Sequence, residues 1–299
     1  MKRVVSISLG SSKRNKQSRA TILGEQFSIK RIGVDGDMAE FARKFAELDG
    51  KVDALGVGGA DLYLWIDRKR YAFRQILKLV SGAKKTPVVD GSGLKHTLER
   101  KLIHTLNESG EVEFAKERVF LTMAVDRAGM AKALSEVCPN VVYGDIMFGL
   151  GLPLRLRSYR SIRMVGSLLL PVITRLPFEW FYPTGKKQES RKPKCAWAFN
   201  EATVICGDWH YIRRHCPDRM DGKTIITNTL RKADLEFLKK AGARRAITST
   251  PNIEGESFGT NVMEGVLVAL LGKRPEELTQ EDYEETLKRL DWKPNVFEL

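Results

Sequence analysis

Short apolar runs that stop at glycine or at a small polar residue, each followed by a helical pattern, recur along this chain. That alternation constrains the fold more than any other feature. Strands separated by helices lie side by side, largely parallel, and carry the helices on their faces. Arg3 to Leu9, Val52 to Val57 running into Gly58-Gly59, and Pro87 to Val89 running into Asp90 read as strands. Ala20 to Leu23 and Gln26 to Ile32 read as a strand pair turning at Gly24-Glu25. Met38 to Leu48 is amphipathic, with Asp37 as its N-cap and Gly50 just past its end. Helices are expected over Tyr71 to Val80 and Leu94 to Leu106.

The charged stretch Glu111 to Lys116 reads as a linker, after which the alternation resumes. Strands are expected at Val119 to Ala124, Val141 to Tyr143, Thr203 to Cys206, Thr224 to Thr227 and Ala246 to Thr248. Helices are expected at Ala128 to Val137, Lys232 to Ala241 and Asn261 to Leu271. The reading is an α/β fold: an N-terminal α/β substrate-binding domain over 1–115, then a C-terminal Rossmann-like dinucleotide-binding domain over 116–299. The second carries a mostly parallel sheet and a helical insertion near 150–195.

Of the 299 residues, 42% are hydrophobic and 29% charged, which leaves ample material for a core. Cys138, Cys195, Cys206 and Cys216 show no C-x-x-C pair, which points to free thiols in a reducing compartment. No metal is expected, since the four histidines and four cysteines lack ligand spacing. The N-terminus runs directly into a strand, so a cytoplasmic protein is expected. A net charge of +13 is spread along the whole chain. That favours small anionic partners, carboxylates or dinucleotide phosphates, over nucleic acid. The apolar run from Met164 to Pro183 is interrupted by Pro171, Arg175, Pro177 and Glu179, so it is not a spanning helix. The expectation is that 158–183 forms a core helix or a homo-oligomer contact, and membrane contact is not expected.

Several strand ends carry groups suited to chemistry. SLGSSKR offers Ser11, Ser12 and Lys13 for a carboxylate, and Gly58-Gly59 lets backbone approach a ligand. In VVDGSGLK, Asp90 and Lys95 flank a glycine turn, a workable proton-transfer pair for alcohol–ketone interconversion. The turn in VFLTMAVDRAGMAKAL puts Ala124, Asp126 and Gly129 at the spacing of a dinucleotide fingerprint, keeping only the last glycine. Asp145, at the end of the next strand, would meet ribose hydroxyls, and Arg127 a phosphate. A plain α/β turn with a capping aspartate explains the same residues equally well. Asp208 with His210, Asn228-Thr229 and Ser249-Thr250-Pro251 end three later strands and fit one crevice. Gly259, Thr260 and Asn261 open a helix, where an anion would be welcome. His210 reads as a structural or surface histidine.

The Ser11-Ser12 pair, Lys95 in VVDGSGLK and the TMAVDRAGMAKAL turn resemble, in chain order, the shikimate/quinate dehydrogenase group. The chain also resembles, along its full length, bacterial proteins labelled quinate 5-dehydrogenase. The resemblance implies an NAD(P)-dependent oxidoreductase acting on a small anionic hydroxy acid. Lys95 and Asp90 would then be catalytic, Ser11, Ser12, Lys13, Gly58 and Gly59 would hold substrate, and NAD or NADP would be the cofactor. Asp126, Arg127, Gly129, Asp145, Asp208, Asn228, Thr229, Ser249 and Thr250 would meet that cofactor. The group's glycine-rich turn and its N-T-D motif are absent, and Asp90 stands in for the latter. The first alternative is a non-redox protein that binds a nucleotide or another anionic metabolite in the same crevice; the second, ranked below it, is a nucleic-acid or membrane-surface binder driven by the +13 charge.

Overall fold

The computed structural model describes residues 1–67, 69–180, 191–250, 252–253, 256–257 and 259–299. Pro251 and residues 181–183 of the segment expected over 158–183 lie outside the described residues. The chain begins with β1 (Lys2–Ser8), β2 (Lys16–Ile22), β3 (Glu25–Gly33), α1 (Met38–Leu48) and β4 (Ala54–Gly58). A hairpin, β5 (Tyr63–Ile66) and β6 (Lys69–Ala72), leads to α2 (Arg74–Val80), β7 (Val88–Val89) and α3 (Ser92–Glu108). Then come β8 (Val119–Leu121), α4 (Ala128–Val137), β9 (Val141–Tyr143), α5 (Asp145–Gly149), α6 (Tyr159–Ile173) and α7 (Ala196–Glu201). β10 (Val204–Cys206), α8 (Trp209–His215), β11 (Thr224–Thr227), α9 (Lys232–Lys240) and β12 (Arg245–Thr248) follow. The chain ends with β13 (Asn252–Ile253), β14 (Glu256–Ser257), α10 (Thr260–Leu271), α11 (Gln280–Arg289) and β15 (Asn295–Glu298).

The fold is α/β with two mostly parallel sheets. The first has strand order β2-β3-β1-β4-β7 and is parallel except where β2 runs against β3. The second has order β15-β12-β11-β10-β8-β9, with β15 alone antiparallel. Its five parallel strands follow the 2-1-3-4-5 order of a doubly wound sheet. The Tyr71 helix expectation is corrected at its start. Tyr71 pairs with Leu64 in the β5–β6 hairpin, and the helix begins at Arg74. An aromatic, β-branched stretch prefers such pairing to a helical turn.

Phe41, Phe45 and Ile76, from α1 and α2, bury one face of the first sheet against Val5, Ile7, Leu55 and Val57. The other face is covered by α10, which returns from beyond β12. A side chain at Gly265 would press on Val4, Ala54 and Val89. Glu264 on α10 accepts the Gly91 N–H at 2.7 Å and the Leu94 N–H at 3.0 Å. A buried carboxylate from a distant helix therefore caps the start of α3. Gly91 itself has φ +88°, and a Cβ there would stand 2.6 Å from the Asn261 nitrogen. Glycine lets the chain turn there while the starts of α3 and α10 touch.

Candidate active site between the two sheets

The carboxyl ends of both sheets open into one cleft of about 290 Å³. Ser6 and Ser8 of β1 and Gly58, Gly59 and Asp61 after β4 line it from the first sheet. Asp126 after β8, Asp208 after β10 and Asn228 after β11 line it from the second. Ligands of open α/β sheets bind beyond strand carboxyl ends where the strand order reverses, and β8 and β10 flank that point here.

Lys95, one turn into α3, places its Nζ 3.0 Å from Asp61 Oδ1 and 3.1 Å from Asp126 Oδ1. The position of Asp126 depends on Gly129. A Cβ at 129 would come 2.1 Å from the His96 carbonyl oxygen, so α4 lies against α3 because that position is bare. Burial opposes a charge on Lys95, but Asp126 and Asp61 outweigh it and hold the ammonium above its ordinary value. Asp61 is pushed up to about 7, first by burial and then by the Asp126 and Asp90 carboxyls, against the pull of Lys95. Burial would raise Asp126 too, yet Lys95 and Arg127 together keep it below the carboxylate range. The trio thus combines an ammonium held charged, a carboxylate held ionised and a carboxyl whose pKa is raised toward neutrality.

Behind Asp126 the buried Arg127 guanidinium meets Asp126 Oδ2 at 3.0 Å, Asp208 Oδ2 at 2.6 Å and Glu99. Arg14, Arg31, Arg214 and His210 also line the cleft. Arg31 donates to Ser8 Oγ at 2.9 Å and to the Ser11 carbonyl at 3.1 Å. Burial, then the neighbouring Arg14 charge, lowers its pKa to about 10. A bound anion relieves such crowding of like charges. His210 opens into the cleft but is hemmed in by protein, and its pKa is lowered by that desolvation. The start of α10, with Gly259, Thr260 and Asn261, also faces the cleft.

Several expected roles change. Asp90 lines the cleft, but its carboxylate accepts the N–H groups of Leu62, Tyr63 and Ser92 and shapes the loop instead of pairing with Lys95. Asp61, the partner that does pair, was not singled out. Its signal was its place directly after Gly58-Gly59-Ala60. Ser11 is buried and caps a short turn by accepting the Lys13 N–H. Of that stretch, Arg14 lines the cleft while Ser11, Ser12 and Lys13 do not.

Asp145 is turned inward. It accepts the Ala124 and Val125 N–H groups, each at 3.0 Å, and burial pushes it up to about 6. Those are the turn amides that a dinucleotide pyrophosphate would need. Arg127 is committed to three carboxylates, and Gly129 packs helices. The β8–α4 turn therefore does not fit NAD or NADP phosphates. Asp208 and Asn228 reach the cleft, with the Asn228 amide 3.3 Å from Asp208 Oδ2. Thr229 and Thr250 bond each other at 3.0 Å. The Ser249 carbonyl accepts the Trp292 indole N–H, and none of these three residues is among the described cleft-lining residues.

Fold and site together define an α/β protein of two parallel-sheet units whose ionisable site lies between their carboxyl ends. Residues 93–299 match the family model described as domain of unknown function DUF8754, and the chain belongs to that family. Residues 3–90 match a second domain of unknown function, DUF8753. No curated protein matches the chain in sequence. Among solved structures, the chain is similar to a hetero-hexameric glutamate dehydrogenase from Thermus thermophilus. The identity is 13% and the TM-score 0.43, covering 97% of this chain and 74% of that one. It is similar to a galactofuranose binding protein at 12% identity and TM-score 0.36, covering 97% and 99%. The figures for an NAD-dependent malic enzyme from Thermotoga maritima are 12% and 0.35, covering 97% and 84%.

Proposed function

We propose that the protein is an enzyme that binds a small anionic hydroxy compound in the cleft and moves a proton at its hydroxyl. The observation that carries this reading is the Lys95 ammonium held between Asp61 and Asp126 at 3.0 and 3.1 Å, where both sheets end. Asp61, pushed up to about 7, takes the hydroxyl proton, since a general base works best near the ambient pH. Lys95 donates a hydrogen bond to the oxygen that becomes negative, and Asp126 and Arg127 keep it in place. Arg14, Arg31 and Arg214 receive the anionic group.

NAD(P)-dependent oxidation of a hydroxy acid of quinate or shikimate type is the redox form of this reading. It is favoured by the position of the cleft at the strand-order reversal. Melting temperature measured against quinate, shikimate and inorganic phosphate tests the binding. A ligand at about a hundred times its Kd adds ~2.7 kcal/mol, and Arg31→Ala is expected to abolish that gain. If no small anion shifts the wild type, the proposal fails. Fluorescence titration with NADH and NADPH separates the forms, and the redox form is lost if neither binds at millimolar levels.

A further inference from the structure

The helix α6 is anchored by one face and bare on the other. Ile162, Gly166 and Leu170 are buried, and a side chain at Gly166 would strike Ile66. Four residues apart on the opposite face, Met164, Leu168 and Val172 are 69%, 73% and 58% exposed. Leu150, Leu152 and Leu154, in the segment leading to the helix, are exposed as well, and Trp180 beyond it is 71% exposed. Met1 and Val296 complete the exposed large hydrophobic residues among those described, so the others all fall in the one stretch 150–180.

From Leu150 to Trp180 the sequence holds five arginines and a single acid, Glu179. Arg155 is paired with Glu201 and Arg163 with Asp67. Arg157, Arg160 and Arg175 are exposed and have no ion pair among the described residues. We propose that this face docks on an anionic lipid surface, with the Met164–Leu168–Val172 stripe and Trp180 entering the interface and the arginines meeting headgroups. The charge selects this occupant over a second copy of the chain. Two such faces brought together would oppose five arginines to five, with Glu179 the single acid of each segment to offset them. An anionic lipid surface supplies both an apolar layer and negative charge. The helix lies on the surface without crossing it: among the described residues no helix is long and apolar enough to span a membrane. This inference does not depend on the chemistry of the cleft.

Flotation of the full chain with phosphatidylcholine vesicles containing phosphatidylglycerol, against pure phosphatidylcholine, tests it. Binding is expected to the anionic vesicles and to weaken with salt. Arg157→Glu should reduce it roughly fivefold or more, the worth of one basic residue at the surface. Leu168→Ser combined with Val172→Ser should reduce it at least as much while leaving the melting temperature unchanged, since both side chains face solvent. Three results would overturn the proposal. One is no binding at either composition. Another is binding that ignores Leu168→Ser with Val172→Ser. The third is a dimer in solution that Leu168→Asp dissociates while the wild type ignores vesicles, which would make the face an interface between copies.

Discussion

Lys95 has two carboxylates within hydrogen-bond reach, and its removal acts on both stability and chemistry. Lys95→Met leaves Asp61 without its cation and Asp126 with Arg127 alone, and losing one partner of a buried ion pair costs about 3–5 kcal/mol. Chemical denaturation reads that loss. Asp61→Asn keeps the shape and removes the titration. With a ligand that turns over, the wild-type rate should rise with pH through about 7, as Asp61 loses its proton. Asp61→Asn should flatten that limb and lower the rate about 10²–10⁴-fold. A variant with an unchanged pH profile would remove Asp61 from the proton path. The sequence made Lys95 visible, because a lysine behind a strand and a glycine turn has a recognisable place. It did not reveal Asp61, a single acid after a glycine pair, because its meaning comes from α3 lying 34 positions further along the chain. Asp90 was visible for the same local reason as Lys95, and its carboxylate is consumed by backbone amides that only the fold brings near it.

Among the elements, α3 and α4 depend on the bare Gly129. Gly129→Ala is expected to push the helices apart, cost about 1–3 kcal/mol as overpacking does, and lengthen the Lys95–Asp126 contact. A fully stable variant with intact activity would contradict that role. Glu264, which caps α3, is pushed up to about 7, mainly by burial and then by Asp90. Its folded pKa lies above its ordinary value, so the folded state holds the proton more tightly between about 4.5 and 7. Stability attributable to Glu264 therefore falls as pH rises through that window, by up to ~3 kcal/mol. His215, lowered to about 4 mainly by burial, works in the opposite sense over much of the same range. The comparison of wild type with Glu264→Gln isolates the glutamate: the variant should lose Glu264's share of the fall, while the raised Asp61 and Asp145 keep theirs, and parallel curves would show that the Glu264 carboxyl does not titrate there. Met38–Leu48, Ala128–Val137 and Thr224–Thr227 were legible to the residue because cap, periodicity and apolar run agree. Short α8, polar α11 and the edge strand β15 were not, since their patterns are set by what they pack against.

At the scale of the molecule, the βα alternation carries the α/β class and the parallel sheets. It does not carry the route of α10, which follows β12 in sequence yet covers the first sheet. A helix apolar on all sides announces burial without naming its partner. That return brings the start of α10 to the cleft where both sheets end, and the charge pattern arises there: Lys95 held between Asp61 and Asp126, with Arg14, Arg31 and Arg214 in the same lining. The most direct measurement of this account is a ¹³C NMR titration of the Asp61 carboxyl, assigned with Asp61→Asn, with and without an anion that raises the melting temperature. The account predicts a midpoint near 7 in the free protein, moved upward when the anion binds beside it. A carboxyl that titrates in the ordinary range near 4, unmoved by any such anion, would contradict it.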